Sequence, residues 1–246
     1  MKYKVLIPTS GTGSRLKDLT AKTNKSLLKV GGREALRYIV ESYTPDIPLV
    51  ITLGHKGVQV KSFLTKNYPE RAFEFVFVDK YDGPGSSLGY SMLQAKPNLQ
   101  CPFIFHACDG IFLEKIPAPE RNWIGGFVDN WLTTDLPLPH YRSHSMKDNK
   151  VLRFNERGVP GFDSLHIGLD GIKDYKIWWQ TLEEIYNRNP NDAQLSDVPV
   201  LEAMLSQGVK FNWIPYKIWL DIGNPAALAR TEAYLTANYN SQTNRS

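Results

Sequence analysis

Arg15 and Lys25 stand behind a glycine turn, Gly11-Thr12-Gly13, and that turn follows the short apolar run Lys4-Val5-Leu6-Ile7. A guanidinium grips a phosphate through a fixed fork of donors, and a lysine ammonium supplies a compact, mobile charge. Gly11 and Gly13 let the backbone take positive φ and approach a ligand closely, so that successive N–H groups can point at phosphate oxygens. The same residues also describe an ordinary glycine turn followed by solvated basic side chains. Of two well-known phosphate loops, one fails and the other is weakened. A Walker A loop needs a glycine before its lysine, and Lys25-Ser26 follows Asn24. A dinucleotide fingerprint needs a third glycine where Leu16 stands.

Two acids supply the opposite charge. Asp109 closes the run Phe103-Ile104-Phe105-His106-Ala107-Cys108, and Asp221 sits in Trp219-Leu220-Asp221-Ile222-Gly223-Asn224-Pro225. Each reads as the end of a strand, and open α/β folds bind ligands at the carboxyl edge of the sheet. Acids ending separate strands can converge on one Mg²⁺, which takes carboxylate and phosphate oxygens together. Taken singly, each could equally be a turn or cap residue.

The elements that must position these residues alternate between strand and helix through the first hundred positions, which argues for βαβ units and a largely parallel sheet. Strands are expected at residues 4–7, with Pro8 ending the first, and at 47–53, 73–78 and 102–107. Helices are expected at 33–43, around 58–64 and at 86–94. Further on, 122–128, 151–154, 211–214 and 218–221 read as strands, and 174–187, 197–206 and 225–239 as helices. Leu136 to Asp148, rich in Pro, His and Ser, reads as a mobile loop or lid. His140 and His144 have i, i+4 spacing, but the prolines around them oppose a helix and they read as loop residues. Trp131 and the pair Trp178-Trp179 suit core or rim packing as well as ligand stacking.

A chain of 246 residues is long enough to bury a large core, and no internal linker divides it. The net charge of +4, with basic residues scattered, is too mild to indicate nucleic acid and leaves a small anion as the expected partner. Two cysteines, Cys101 and Cys108, offer neither a disulfide framework nor metal spacing. The sequence enters a strand at once, without a signal peptide, and has no apolar run long enough to cross a membrane, so a cytoplasmic protein is expected.

Ile7 to Val30 resembles the signature of the nucleotidyltransferases that activate sugar phosphates: an apolar strand, then GxGxR, then a PK pair about ten residues on. Gly11, Gly13, Arg15, Leu16, Thr20, Lys25, Leu27 and Val30 fall in that register. Asn24 stands where that family has proline, and Thr9 and Ser10 where it has alanines. Trp219, Asp221, Gly223 and Pro225 match its late W-x-D-x-G-x-P. Gly83-Pro84-Gly85-Ser86-Ser87-Leu88 falls where it has a glycine turn against the nucleobase, with Val78 in place of the usual glutamine. Asp79-Lys80-Tyr81 is similar to the D-K-Y of the small choline-phosphate cytidylyltransferases of the same superfamily, whose paired asparagines are absent.

The resemblance implies an α/β, Rossmann-like fold of the GT-A-like nucleotidyltransferase kind: a mostly parallel mixed sheet flanked by helices, in a single domain over residues 1–240. Residues 1–115 would bind the nucleoside triphosphate, 116–240 the phosphorylated acceptor, and 241–246 would be a disordered tail. It implies a Mg²⁺-dependent transfer in which Arg15, Lys25 and Asp109 act on the phosphates and Asp109 and Asp221 hold the metal. The nucleotide would meet Pro8, Thr9, Ser10, Gly11, Thr12, Gly13, Ser14, Gly83 and Ser86, and the acceptor Glu156 and Gly168. Without the C-terminal β-helix repeats of some relatives, the chain is expected to be a catalytic domain alone, serving polysaccharide or glycoconjugate synthesis. A homo-oligomer is left open. Three other readings stay in play: a cytidylyltransferase for phosphocholine or another non-sugar phosphomonoester, a non-catalytic nucleotide-sugar-binding regulator, and a dinucleotide oxidoreductase, against which Leu16 counts.

Overall fold

The structure, a computed structural model, describes residues 2–128 and 141–243. In chain order its elements are β1 (Lys4–Pro8), β2 (Lys29–Val30), β3 (Arg33–Glu34), α1 (Ala35–Glu41), β4 (Leu49–Leu53), α2 (Gly57–Asn67), β5 (Phe73–Phe77), α3 (Leu88–Ala95), β6 (Phe103–His106) and β7 (Gly110–Phe112). They continue with β8 (Trp123–Phe127), β9 (Ser143–Lys147), β10 (Lys150–Asn155), β11 (Ser164–Ile172), α4 (Tyr175–Arg188), α5 (Asp197–Ser206), β12 (Phe211–Tyr216), β13 (Trp219–Asp221) and α6 (Pro225–Thr243).

Nine strands form one mixed sheet in the order β5-β4-β1-β6-β11-β8-β12-β10-β9. The first four run parallel, so the turns that follow β1 and β6 emerge at the same carboxyl edge. β11 then enters antiparallel between β6 and β8, and β12 lies parallel to β8. Alternation along β1 builds both faces of the core. Val5 and Ile7 pack with Leu36, Ile39, Val60 and Leu64 of α1 and α2, while Leu6 faces Met92, Trp179 and Leu201 of α3, α4 and α5. Trp178 and Trp179 are fully enclosed core residues. Trp179 stacks on Phe103 at 5.3 Å, and its Nε1–H donates to the Leu99 carbonyl at 2.9 Å.

The loop expected over Leu136 to Asp148 needs correction. Residues 129–140, with Trp131 and His140 among them, lie outside the described residues, but Ser143–Lys147 is strand β9. It pairs with β10 through the two-residue turn Asp148-Asn149, whose φ angles of 51° and 56° are those of a tight hairpin. Asp and Asn tolerate that left-handed region, which is why they close the turn. The strand escapes a hydrophobicity pattern because its buried residues, Ser143 and His144, are polar.

A small second sheet decides the site. β13 pairs antiparallel with β7, setting Asp221 opposite Gly110, and the Ile222 N–H donates to the Asp109 carbonyl at 2.9 Å. Two acids more than a hundred positions apart are thereby pinned side by side.

Candidate active site

The turn after β1 opens one wall of a cavity at the carboxyl edge. Pro8, Ser10, Gly11, Thr12, Gly13 and Ser14 line it, with Arg15, Lys25, Tyr81 and Ser86. Gly13 has φ +68°, and a Cβ there would lie 3.0 Å from Thr20 Cγ2 and 3.2 Å from Lys25 Cβ, so the turn is both left-handed and too tight for a side chain. Thr9 turns the other way. It is buried and its hydroxyl donates to the Thr52 carbonyl at 2.7 Å. Gly83 also lies off the wall, where its carbonyl accepts from the Ser86 N–H at 3.2 Å and hydroxyl at 2.7 Å and so positions Ser86. Val78 is buried, donating its N–H to the Leu53 carbonyl at 2.8 Å. Of the Asp79-Lys80-Tyr81 run, Tyr81 faces the cavity, while Asp79 accepts from the Tyr90 hydroxyl at 2.6 Å.

Asn24 gives the lysine turn its rigidity by a route other than proline. Its Nδ2 donates to the carbonyls of Thr9 (2.8 Å) and His55 (2.7 Å), and its Oδ1 accepts from the Ser26 N–H (3.0 Å) and hydroxyl (2.8 Å). The side chain is fully buried with its donors and acceptor engaged. Asn24→Ala takes the side-chain donor from the buried Thr9 carbonyl and the part-buried His55 carbonyl, at about 1–3 kcal/mol for a buried group left unsatisfied. Denaturant unfolding is expected to show a fall of a few kcal/mol, with Lys25 losing its fixed position.

The charged groups meet beneath this cavity. Lys25 Nζ lies 2.9 Å from Asp109 Oδ2, and an Arg15 guanidinium nitrogen 3.8 Å from the same oxygen. Burial alone would lower the lysine pKa, but the Asp109 charge overrides it and drives the value up. Burial likewise opposes ionisation of Asp109, yet Lys25 and then Arg15 bring its pKa below the usual carboxylate value. Asp221 is different. Burial and then repulsion from Asp109 raise its pKa, although the Tyr141 hydroxyl and the Gly223 N–H (2.7 Å) both donate to it. A Cβ built on Gly223 would fall 3.0 Å from Asp221 Oδ1, 3.1 Å from Asp109 Oδ2 and 3.3 Å from Arg15. Both carboxylates therefore face one small space kept clear by a glycine, and their mutual repulsion is what a shared divalent cation would relieve. Two hard oxygen donors beside the glycine turn are a donor set that could hold a cation such as Mg²⁺.

His106 braces the turn that carries Asp109. It is buried, with Nδ1 2.7 Å from the Tyr43 hydroxyl and Nε2 2.9 Å from the Gly110 carbonyl, an arrangement that fits the neutral ring with the proton on Nε2. Burial pushes its pKa down to about 4. The unfolded chain therefore binds the extra proton first, so stability is full above about pH 6.5 and is lost as pH falls toward 4. Denaturant unfolding of His106→Gln is expected to lose less stability over that window than the native chain does.

A second cavity adjoins the first. Arg15 and Leu88 line both, and the second also takes in Asp109, Tyr141, Arg142, Arg157, Gly168, Asp221 and Trp219. Gly168, expected to meet the acceptor, lies inside β11 with φ +68° at a register slip, and a Cβ there would meet Ala107 at 2.7 Å. Glu156 is exposed and pairs with Arg142 at 3.2 Å, while its neighbour Arg157 reaches the wall. Tyr141 was not anticipated as a site residue, nor were Arg142 and Arg157 or the cavity residues His166 and Asp197. No motif marks them: Tyr141 and Arg142 fall in the segment read as a loop, Arg157 and His166 in chain given no element, and Asp197 at the start of the helix expected over 197–206. No helix among the described residues is long and apolar enough to cross a membrane.

No family model matches the chain. A curated protein, the bifunctional IPC transferase and DIPP synthase of Aquifex aeolicus (strain VF5), is 24% identical over 96% of this chain and 52% of its own length. The chain thus spans about half of that relative. Among solved structures, the CTP:phosphocholine cytidylyltransferase from Streptococcus pneumoniae superposes with a TM-score of 0.75 at 17% identity, covering 96% of this chain and all of that one (100%). A putative glucose-1-phosphate thymidylyltransferase from Bacillus anthracis gives 0.75 at 20% identity over 95% of both chains. The inositol-1-phosphate CTP transferase from T. maritima gives 0.72 at 14% identity, covering 96% and 97%. The mixed sheet flanked by helices is the fold of these nucleotidyltransferase structures.

Proposed function

We propose that the chain is a nucleotidyltransferase in which a phosphomonoester, foremost a sugar-1-phosphate, attacks the α-phosphorus of a nucleoside triphosphate and displaces pyrophosphate. The observation that carries this reading is the junction of two cavities at Arg15, with Lys25, Asp109 and Asp221 around it. A triphosphate in the first cavity and a phosphorylated acceptor in the second would meet there.

The chemistry asks little of an acid or base. An acceptor phosphate oxygen forms the new P–O bond, and the bond from the α-phosphorus to the pyrophosphate bridge breaks. The nucleophile is already an anion, so alignment and charge neutralisation carry the reaction. Arg15 and the N–H groups of Gly11 to Ser14 would hold the β and γ phosphates. Lys25, fixed by Asp109, would lie between the α-phosphate and the incoming phosphate. Asp109 and Asp221 would hold Mg²⁺, which supplies positive charge where negative charge develops. Tyr81 and Ser86 stand where the nucleoside would lie, and Arg142 and Arg157 where an anionic acceptor would.

A second acceptor class has an observation of its own. Phe105, Tyr141 and Trp219 line the acceptor cavity, and aromatic faces bind quaternary ammonium groups. Phosphocholine therefore belongs in the test. Each of ATP, CTP, GTP, UTP and dTTP is incubated with Mg²⁺ and a panel of sugar-1-phosphates, inositol-1-phosphate or phosphocholine, and products are read by mass. One nucleotide–acceptor pair is expected to yield a diphosphate-linked product. Triphosphate binding with no product from any pair would favour a non-catalytic binder instead.

A further inference from the structure

Behind the acceptor cavity lies a second cluster with metal-ligand chemistry. His166 and Asp170 belong to β11 and Asp197 to the first turn of α5, and one donor atom from each lies within 4.8 Å of the others. His166 Nε2 is 2.8 Å from Asp197 Oδ2 and 4.0 Å from Asp170 Oδ2. The slip at Gly168 falls between the two β11 residues, where the register shifts between His166 and Asp170.

Asp170 is the telling member. It is completely buried, and neither carboxylate oxygen has a hydrogen-bond partner. Buried polar atoms are almost always satisfied, and a buried carboxylate without a donor is costly enough to require a partner. The facing groups supply none. Without a metal, His166 Nε2–H donates to Asp197 Oδ2 at 2.8 Å; His166 Nδ1 lies 3.3 Å from His144 Nε2, so the ring proton can move to that side when a cation takes Nε2. Such a second-sphere hydrogen bond is what fixes the tautomer of a metal-bound histidine.

We propose that His166, Asp170 and Asp197 form a second divalent-metal site, distinct from the Asp109/Asp221 junction, that takes a transition ion such as Zn²⁺ or Mn²⁺. The imidazole nitrogen sets it apart from an all-oxygen Mg²⁺ site. His166 and Asp197 lie on the wall of the acceptor cavity, whereas Asp170 does not. An ion held by these three ligands would have a coordination position open to the cavity, suited to an oxygen of the acceptor.

The test uses Co²⁺ alone, added to metal-stripped full-length protein with no nucleotide, so its failure leaves the nucleotidyltransferase reading untouched. The native chain and Asp221→Asn are expected to share a visible Co²⁺ absorption and a rise in melting temperature. Asp170→Asn and Asp197→Asn are expected to bind about 100-fold more weakly or to lose the signal. Asp197 is the safeguard if the core variant fails to fold, and its melting in chelator should match the native chain. No Co²⁺ signal in the native chain would overturn the site and leave a His166–Asp197 proton pair in its place. A signal that survives Asp197→Asn, or one abolished by Asp221→Asn, would overturn it as well.

Discussion

Lys25→Ala is expected to lower turnover by about 10³-fold, the scale on which one preorganised donor to developing charge contributes to catalysis. Nothing else among the described residues places an ammonium at the junction of the two cavities, and Lys25 is held there by the 2.9 Å bond to Asp109. Removing it leaves a mostly buried carboxylate with Arg15 at 3.8 Å as its remaining cation, so stability should also fall, by about 1–3 kcal/mol. Far-ultraviolet circular dichroism should be unchanged. A variant that kept near-normal turnover with an intact spectrum would remove Lys25 from the site.

Asp221→Asn should separate activity from stability in the opposite sense. The carboxylate is raised in pKa by burial and by Asp109, which means that ionised Asp221 weakens the fold near neutral pH. Asparagine removes that repulsion while still meeting the Gly223 N–H and the Tyr141 hydroxyl, which can accept from its amide. Thermal unfolding should therefore shift upward or stay level. Activity should fall steeply, because losing one anionic ligand forfeits several kcal/mol of charge stabilisation and each ~1.4 kcal/mol is tenfold in rate. A loss of stability with activity retained would mark Asp221 as a structural residue.

What the sequence could reveal followed from how local the signal was. The glycine turn with Arg15, and the strand-ending acids Asp109 and Asp221, are legible because each sits in a short run of fixed spacing. Their convergence needed the β7–β13 pairing, which no local pattern announces. Asn24 looks like a lost proline in the sequence and is a four-bonded hub in the structure. β9 reads as loop because its buried residues are polar, and β11 is missing from the expected strands because Gly168 and Gly171 interrupt its apolar alternation. The His166 cluster was invisible for a related reason. Its members come from a slipped strand and a separate helix, and only packing brings them together.

The central claim is that the acceptor's phosphate attacks the nucleotide directly across the junction at Arg15, Lys25, Asp109 and Asp221. It is tested most directly with an acceptor phosphate carrying heavy oxygen, using the pair that turns over and following both products by mass. Direct attack predicts that every labelled oxygen is retained in the nucleotide-linked product, one of them as the new bridge, and that the released pyrophosphate is unlabelled. Label in the pyrophosphate, or pyrophosphate released at the same rate without the acceptor, would contradict it.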